Sequence, residues 1–365
     1  SNSFTGNVNI SGGTLSVSLT PGGGGRLVIG GTASINGIMQ VIPASGLYVK
    51  GTHFVIITAE GGVSAGGLAV TSTSSITFHA ATPSANQLDV VVDTGNFDLS
   101  SFSPDQAAIG SALVIGSGAG SPLNAVATAL AALSPVAQAA ALDSLTAQSA
   151  TATSPAVQQT LAGFQGTLTG RAGTDVAPTA GPQLAALNAS DITLPIGGLV
   201  AWARAFAERS RIDGSANAAG IRGSTGGVAI GLEKLLDPDT KAGAAIGLAR
   251  TNVSTDGVPQ SGDVDTYALG VYGSRSYVLV DVDGSVTIAY DHSRSSRAIV
   301  VAGSTAKGSS DGYGLGASLG VSHRFDLGQA WLVPRVGLDA GYDHQDGFTE
   351  TGAGAADLSV DKTCD

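Results

Sequence analysis

Charged residues are scarce in this sequence of 365 residues, in which Asp, Glu, Lys and Arg together make up only 12%. Soluble domains carry about a quarter. Aromatic residues are also few, at 5%, whereas glycine is abundant, with 53 residues. Such a composition favours β-structure with many turns and argues against a helical bundle.

Other absences exclude whole classes of function. The net charge is −11 and no Lys/Arg cluster could neutralise several phosphates, so we expect no nucleic-acid partner. Cys364 is the only cysteine, which excludes an intramolecular disulfide and a multi-cysteine metal site. No run of about 18 apolar residues predicts a transmembrane helix. Because the chain starts at Ser1 without Met or a signal peptide, we interpret that end as a cut.

The inventory of reactive residues predicts no enzyme. Asp291-His292 and Asp343-His344 are neighbours on predicted strands, so their side chains point to opposite faces and form no dyad. The G-x-S-x-G, H-E-x-x-H and phosphate-loop motifs do not occur. We therefore expect no catalytic residue, no metal ligand and no cofactor in this chain.

Charge divides the chain into two parts. Residues 1–195 hold 3 Lys/Arg and 8 Asp/Glu, whereas residues 196–365 hold 14 and 20. We predict three segments: β-structure in residues 1–95, helices and a linker in residues 96–195, and a second β-region in residues 196–365.

Residues 1–95 contain short β-runs separated by Gly, Ser and Asn. These runs are Leu15–Leu19, Arg26–Ile29, Gly46–Val49, His53–Thr58, Ser75–His79 and Leu88–Val92. A β-sandwich and the last coils of a parallel β-helix both fit them. The sequence leaves this choice open.

Residues 96–171 contain four Ser-Pro pairs. Ser is a favoured N-cap and Pro is tolerated at the first helical position, so each pair predicts a helix start. The three longest predicted helices are Pro122–Leu133, Pro135–Gln148 and Pro155–Thr169. Residues 172–195 are predicted to be a linker.

From Leu199 onward apolar and polar residues alternate one by one. In Val280–Tyr290, valine, isoleucine and tyrosine share one face, and Asp, Ser, Thr and Ala share the other. We count seven such strands, and Ala356–Val360 is predicted to begin an eighth. A soluble antiparallel sheet gives the same alternation. Seven consecutive strands with one aliphatic face and one small, polar face favour a membrane barrel.

The order of these segments resembles the classical monomeric autotransporters of type V secretion. The resemblance rests on a β-tail ending near Asn86–Leu88, the helical stretch Leu133–Gln138 (LSPVAQ), the strand opening Val200–Phe206 (VAWARAF) and Gly270–Gly273 (GVYG). It implies a mainly β fold: the end of a parallel β-helical passenger, a helical linker, and an antiparallel up-and-down outer-membrane barrel. Residues 1–95 would be the passenger end with a cap like an autochaperone.

The family barrel has twelve strands and an aromatic C-terminal residue, whereas this chain shows seven to eight strands and ends in Lys362-Thr363-Cys364-Asp365. We therefore interpret it as a C-terminally truncated member with a partial barrel.

The resemblance also implies positions for individual residues. The helix Pro155–Arg171 is expected to occupy the pore, and a soluble surface helix is the alternative. Its polar residues Gln158, Gln159, Gln165 and Arg171 are pore-helix candidates. Charges on the polar strand faces are candidates for the lumen wall: Asp281, Asp283, Arg324, Arg335, Asp339 and Asp343. Glycines on those faces are expected to leave room for the helix.

The function implied by the resemblance is that of an outer-membrane translocator and anchor that exports its own N-terminal passenger to the cell surface. Its expected partners are outer-membrane lipid, the barrel assembly machinery and the passenger itself. A surface adhesin, the anchor of an enzyme encoded upstream and a nonfunctional gene fragment remain as alternatives.

Overall fold

The computed structural model describes residues 2–117, 120–147, 153–172, 192–215, 217–326 and 331–364. The chain forms two compact units, the first built from residues 1–146 and 299–304 and the second from residues 147–298 and 305–365. Most of the predicted linker, residues 173–191, lies outside the described residues. None of the described helices is long and apolar enough to cross a membrane.

Nine strands form the β-structure of the first unit. They are β1 (Asn2–Phe4), β2 (Val8–Thr20), β3 (Gly23–Gly24), β4 (Leu27–Ile29), β5 (Ala33–Pro43), β6 (His53–Ala59), β7 (Val63–Ser72), β8 (Thr77–Ser84) and β9 (Gln87–Thr94). The predicted run Gly46–Val49 is not a strand, and β5 and β7 were not predicted. Gly37 in β5 and the Gly66-Gly67 pair in β7 interrupt the β-pattern of the sequence, because glycine is typical of turns and bulges.

The β-structure of the first unit is a short parallel β-helix. β1, β4 and β6 pair in parallel in one sheet, and β2, β5 and β7 pair in parallel in a second. Each coil of the chain contributes one strand to each sheet, which is the β-helix alternative and not the sandwich. Apolar side chains such as Ile29, Ile35 and Met39 fill the space between the sheets.

Glycines form the corner between the two sheets. A Cβ on Gly31 would meet the Gly6 carbonyl carbon at 2.9 Å, and one on Gly61 would meet the Gly31 carbonyl carbon at 2.9 Å. Next to this corner the Asn7 side chain accepts a hydrogen bond of 2.8 Å from the Thr32 amide. Successive coils can therefore stack at this corner only because it carries no side chains.

An antiparallel hairpin closes the β-helix. β9 pairs with β6 and with β8 in antiparallel fashion, so the parallel stacking ends there. The loop before β6 places Tyr48 in the core, with 1% of its surface exposed, and its hydroxyl donates a 3.0 Å hydrogen bond to the Leu19 carbonyl. Burial raises the pKa of Tyr48 to about 12, and a backbone hydrogen bond at Ala44 lowers it by less.

This pKa predicts a loss of stability at high pH. The folded pKa lies above the ordinary value of 10.0, so the contribution is complete below about pH 10 and is lost as the pH rises through 12. Tyr48→Phe removes this dependence and costs about 1 kcal/mol through the lost hydrogen bond. Hydrogen exchange of β2 and β5 amides in the full chain, followed from pH 8 to about 12, measures both effects. Equal alkaline loss of protection in Tyr48→Phe and wild type would contradict the prediction.

Three short helices follow the hairpin: α1 (Pro104–Gly116), α2 (Asn124–Ala131) and α3 (Pro135–Ser144). Two begin at Ser-Pro pairs as predicted. Ser103 caps α1 in a capping box with Gln106, and Ser134 is the N-cap residue of α3. α2 starts two residues after Pro122 and has no side-chain cap.

The second unit contains one 20-residue helix, α4 (Thr153–Ala172), and a nine-stranded sheet. Its principal strands are β11 (Leu199–Ile212), β12 (Ile221–Asp237), β13 (Thr240–Thr255), β14 (Gln260–Ser276), β15 (Asp281–Ile299), β16 (Ser304–Ser322) and β19 (Arg335–Gln345). The sheet ends at β10 (Ile192–Ile196) and β22 (Thr363–Cys364). The remaining strands are β17 (Phe325–Asp326), β18 (Trp331–Leu332), β20 (Phe348–Thr349) and β21 (Ser359–Val360).

The sheet is an up-and-down meander: its nine strands lie side by side in the order in which they occur in the chain, and the short strands β17, β18, β20 and β21 lie outside it. The seven principal strands agree with the seven alternating runs. Alternation also predicts the faces correctly: Val286 and Ile288 are 49% and 53% exposed, whereas the intervening Thr287 is fully buried. The antiparallel β-structure is therefore built with its aliphatic face outward.

The structure differs from the expectation of an eighth strand at Ala356–Val360. That stretch holds a 3-10 turn (Gly354–Ala356) and β21, which pairs with β20 and not with the large sheet. Glu350 binds it to the wall: the carboxylate forms an ion pair with Arg297 and accepts a 3.0 Å hydrogen bond from the Leu358 amide. Positive φ angles at Gly352 and Gly354 make the turn possible.

Candidate functional site

Helix α4 lies against the inner face of the curved sheet. It contacts β11, β12, β13 and β14 and also β19, so strands from both sides of the sheet reach the same helix. We call the space that the inner face of the sheet surrounds the lumen, and α4 lies in this space.

Two rows of small residues face the middle of α4. The strand registers align one row as Ala229, Gly247, Ala268 and Ala289, and the other as Gly231, Ala245, Gly270 and Thr287. Larger side chains would occupy the volume of the helix. The rows exist because the inner positions of adjacent strands fall opposite one another in an antiparallel pairing.

Apolar side chains of α4 fit into the gaps that these rows leave. A Cβ on Gly247 would meet the Phe164 ring at 2.6 Å, and one on Gly314 would meet Leu161 at 3.1 Å. Leu168 lies against Gly270. Phe164 and Leu168 are 2% and 0% exposed, so the middle of the lumen is filled by the helix.

Polar contacts fix the N-terminal half of α4. The Thr160 and Thr251 hydroxyls are 2.8 Å apart, and Thr251 makes a second contact of 2.8 Å to the Thr225 hydroxyl. The Gln159 amide donates a hydrogen bond to the Glu208 carboxylate. These contacts orient the helix about its axis, since each requires one specific face.

A network that we call the latch fixes the C-terminal end of α4. Arg171 forms an ion pair with Glu233, and its guanidinium lies 5.3 Å from the centre of the Trp202 ring. The Tyr272 hydroxyl donates to Glu233 at 2.8 Å and accepts from the Trp202 indole at 2.6 Å. The Lys241 ammonium donates to the carbonyl oxygen of Arg171, which suits the negative end of the helix dipole.

The structure places the predicted wall residues differently from one another. Asp283 is buried and forms an ion pair with Arg335, and Asp343 is also buried on the inner face. Asp281 is half-buried at the start of β15. Arg324 is exposed between β16 and β17, and Asp339 is exposed on β19. The structure therefore brings Asp283 and Arg335 together in one ion pair.

The four predicted helix residues fall on different faces of α4. Gln158 is exposed, Gln159 reaches Glu208, Gln165 is buried beside Gly316, and Arg171 belongs to the latch.

The latch partners Glu233, Tyr272 and Lys241 are not among the residues predicted from the sequence. Glu233 was identifiable as the single acid on the inner face of β12, because alternation places it beside Ala229 and Gly231. Within the described ranges, no group of three or more His, Cys, Asp or Glu side chains is arranged to hold a metal ion.

The outer face of the sheet carries an apolar belt. Its large exposed side chains are Ile230, Leu232, Ile246, Leu248, Leu269, Val271, Val286, Ile288, Leu315, Leu319, Val336 and Leu338. The belt spans nine residues from Tyr313 to Val321 on β16, which matches the 9–11 residues of a tilted membrane strand. Tyr267, Tyr290, Tyr313 and Tyr342 border it on four strands, as an interfacial aromatic girdle does.

The family model described as the autotransporter β-domain matches residues 201–363. This range covers the principal strands, the latch residues on the wall and the apolar belt. Residues 201–363 are an autotransporter β-domain. The β-domain is a transport and anchoring module of the outer membrane and not a catalytic domain.

Two curated relatives share the name outer membrane protein B. Those of Rickettsia rickettsii and Rickettsia conorii are each 27% identical over 194 residues, which is 50% of this chain. The aligned part is 12% of their length, so this chain spans a small fraction of these relatives. The solved translocator domain of autotransporter NalP from Neisseria meningitidis is 17% identical, with a TM-score of 0.41 over 47% of this chain and 59% of that chain.

Packing at Gly247 predicts that a larger residue displaces α4. Gly247→Val forces atoms into the buried Phe164 ring and costs about 1–3 kcal/mol. In a Cys364→Ser background, a cysteine at buried Thr167 should become reactive towards a bulky thiol reagent. Gly337→Val is the matched control, because a Cβ there meets only the Leu319 oxygen at 3.5 Å. Unchanged protection of the Thr167 cysteine in Gly247→Val would refute the packing argument.

Proposed function

We propose that the β-domain anchors this chain in the outer membrane and that α4 occupies the pore through which the preceding residues reach the cell surface. In this proposal residues 1–95 are the C-terminal end of the passenger and residues 96–195 are the linker. The supporting observation is the position of α4, which is held against the inner wall near both of its ends. A chain in that position passes through the lumen once.

The direction of that passage follows from the ends of α4. Ala156 packs with Val253 and Ile221, at the end of the sheet where β11 finishes. Arg171 binds Glu233 near the opposite end, where β11 begins. The residues before Thr153 therefore leave the lumen at the end where β11 finishes, and we propose that this end faces the exterior.

Folding of the passenger would make export irreversible. A parallel β-helix grows by adding one coil of chain at a time, as β1–β2, β4–β5 and β6–β7 illustrate. A segment that folds after it emerges is too wide to slide back through a lumen that α4 alone fills. Export by this route takes its free energy from passenger folding.

We further propose that the outer-membrane barrel assembly machinery inserts this domain. The strands from β12 to β16 have a paired neighbour on both sides, and a single strand would enter hydrocarbon with its hydrogen-bonding groups unpaired. Insertion of paired strands by a protein machine avoids that cost.

The latch predicts that α4 can be released by one substitution. Arg171→Ala leaves Glu233 without its cation in a site where both side chains are largely buried. Breaking such a pair costs about 3 kcal/mol. Single-channel recordings of the full chain in planar bilayers should show a higher open probability and a larger mean conductance for Arg171→Ala than for wild type.

Gln158→Ala is the matched control for this experiment, because Gln158 is an exposed polar residue of the same helix. Its conductance should equal that of wild type. Glu233→Gln should resemble Arg171→Ala, and Glu233→Ala with Arg171→Ala should add less than the sum of the two single effects. If Arg171→Ala conducts like the control, the helix is not held in the pore by the latch.

A surface adhesin is the second candidate function. The β-helix exposes a face of small and polar residues on β7, including Ser64, Gly66, Gly67 and Thr71. Deletion of residues 1–95 separates the two candidates in a cell-adhesion assay combined with outer-membrane fractionation. A translocator without an adhesive passenger is expected to reach the outer membrane and to bind cells no worse than before. Loss of adhesion with normal membrane insertion would instead support the adhesin.

A further inference from the structure

A polar collar borders the apolar belt at the end of the sheet where β11 finishes. On each of six principal strands, the last apolar or aromatic residue of the outer face is succeeded, in the direction of this end of the sheet, by an outward residue that is charged or histidine. These residues are Arg209, Arg250, Asp265, His292, Asp311 and His344. Such a change from apolar to charged side chains marks the level at which hydrocarbon gives way to lipid headgroups.

Most of the collar is neutralised by its own members. Arg250 lies 3.8 Å from Asp265, which also pairs with Arg294. His292 lies 2.7 Å from Asp311. This part of the collar is electrostatically balanced and has no need of a further anion.

The surroundings of Arg209 are different, because Arg211 on β11 and Arg222 on β12 lie beside it. The strand register places Arg211 directly opposite Arg222, and Arg209 lies two residues from Arg211 on the same face. Like charges in directly opposite positions destabilise an antiparallel pair. Because the strand pairing itself imposes this repulsion, the arginine cluster needs anionic neighbours.

The aspartates nearby compensate only part of that charge. Asp256 binds Arg222 at 2.8 Å and lies 3.9 Å from Arg211, which also binds Asp213 at 2.9 Å. Arg209 has no hydrogen bond or ion pair with any residue that the structure describes. One guanidinium of the cluster is thus available to an outside anion.

The three arginines line a recess on the outer face of the sheet. Its volume is about 600 Å³, and Ser224, Asn252 and Ser254 contribute hydrogen-bonding groups to its lining. The carboxylate of Asp263 also lines the recess and lies 3.9 Å from Arg250. Small-molecule sites fall in the range of about 300–1,000 Å³. A site on paired strands is also held more rigidly than a site on loops.

We propose that Arg209, Arg211 and Arg222 bind the phosphate group of an outer-leaflet lipid. Guanidinium groups bind phosphate bidentately, and the recess begins one outward position beyond Ala207, the last small apolar residue of β11. A lipid with its acyl chains on the apolar belt presents its phosphate at this level. The assignment to the outer leaflet rests on the proposed function, which places this end of the sheet outside.

Binding of lipid to the purified full chain tests the proposal. Native mass spectrometry from detergent micelles compares three probes: phosphorylated lipid A, the same glycolipid without phosphate, and inorganic phosphate. Wild type should retain phosphorylated lipid A, bind the dephosphorylated form at least tenfold more weakly, and show no comparable affinity for inorganic phosphate. Equal binding of the two glycolipids, or binding of inorganic phosphate as tight as that of lipid A, would overturn the assignment.

The variant Arg209→Gln/Arg211→Gln/Arg222→Gln should lower the affinity for phosphorylated lipid A at least tenfold. Its matched control is Arg250→Gln/Arg294→Gln, which removes Arg250 of the collar and its neighbour Arg294, both already paired with Asp265. Arg209→Gln alone, at an exposed position without a partner, should show a smaller loss and preserves the fold. Wild-type affinity in both the triple and the single variant would refute the proposal.

The side of the membrane is tested separately. Ala218→Cys, at an exposed position of the β11–β12 loop outside the recess, should react in the Cys364→Ser background with a membrane-impermeant maleimide added to intact cells. Protection in intact cells, together with reactivity after the outer membrane is opened, would place the arginine cluster in the inner leaflet. That outcome would contradict the proposed direction of export, whereas loss of lipid discrimination with normal labelling would contradict the lipid site alone.

Discussion

A peptide group in hydrocarbon finds no water to bond, and each unsatisfied N–H or C=O costs several kcal/mol. The β-domain meets this constraint by pairing long neighbouring strands, as between Val200 and Ile212 on β11 and their partners on β12. Once the backbone is paired in this way, the side chains alternate between lipid and lumen. The apolar belt, the tyrosine border and the small inner residues all follow from that alternation.

The inner face of the sheet is covered by α4, and its own side chains must be small enough to leave room for that helix. Rows of glycine and alanine leave space for one helix, and Phe164 occupies the gap over Gly247. The buried pair of Arg171 and Glu233 adds little net stability, because desolvation of two charges offsets their attraction. Its main effect is positional: any shift of α4 along the lumen would leave a buried charge unpaired.

Much of the fold could be predicted from local rules, and the candidate site largely could not. Alternation in Val280–Tyr290 predicted both faces of β15, and Ser103 and Ser134 predicted two helix starts. The turn at Ala356–Val360 depends instead on Glu350, whose partner Arg297 lies 53 residues away in the chain. The latch joins residues from α4, β11, β12, β13 and β14, and neither periodicity nor capping specifies such long-range pairs.

Apolar and polar residues alternate along the strands of both units, but the apolar side chains face opposite ways. In the β-helix the apolar members of the alternation, such as Ile29 and Ile35, face inward, whereas in the β-domain Val286 and Ile288 face outward. The low charged fraction of 12% comes mainly from residues 1–195, which hold 3 Lys/Arg and 8 Asp/Glu, whereas residues 196–365 hold 14 and 20. The charges of the β-domain concentrate in three places: the latch, the buried ion pair of Arg297 and Glu350, and the collar beyond the belt.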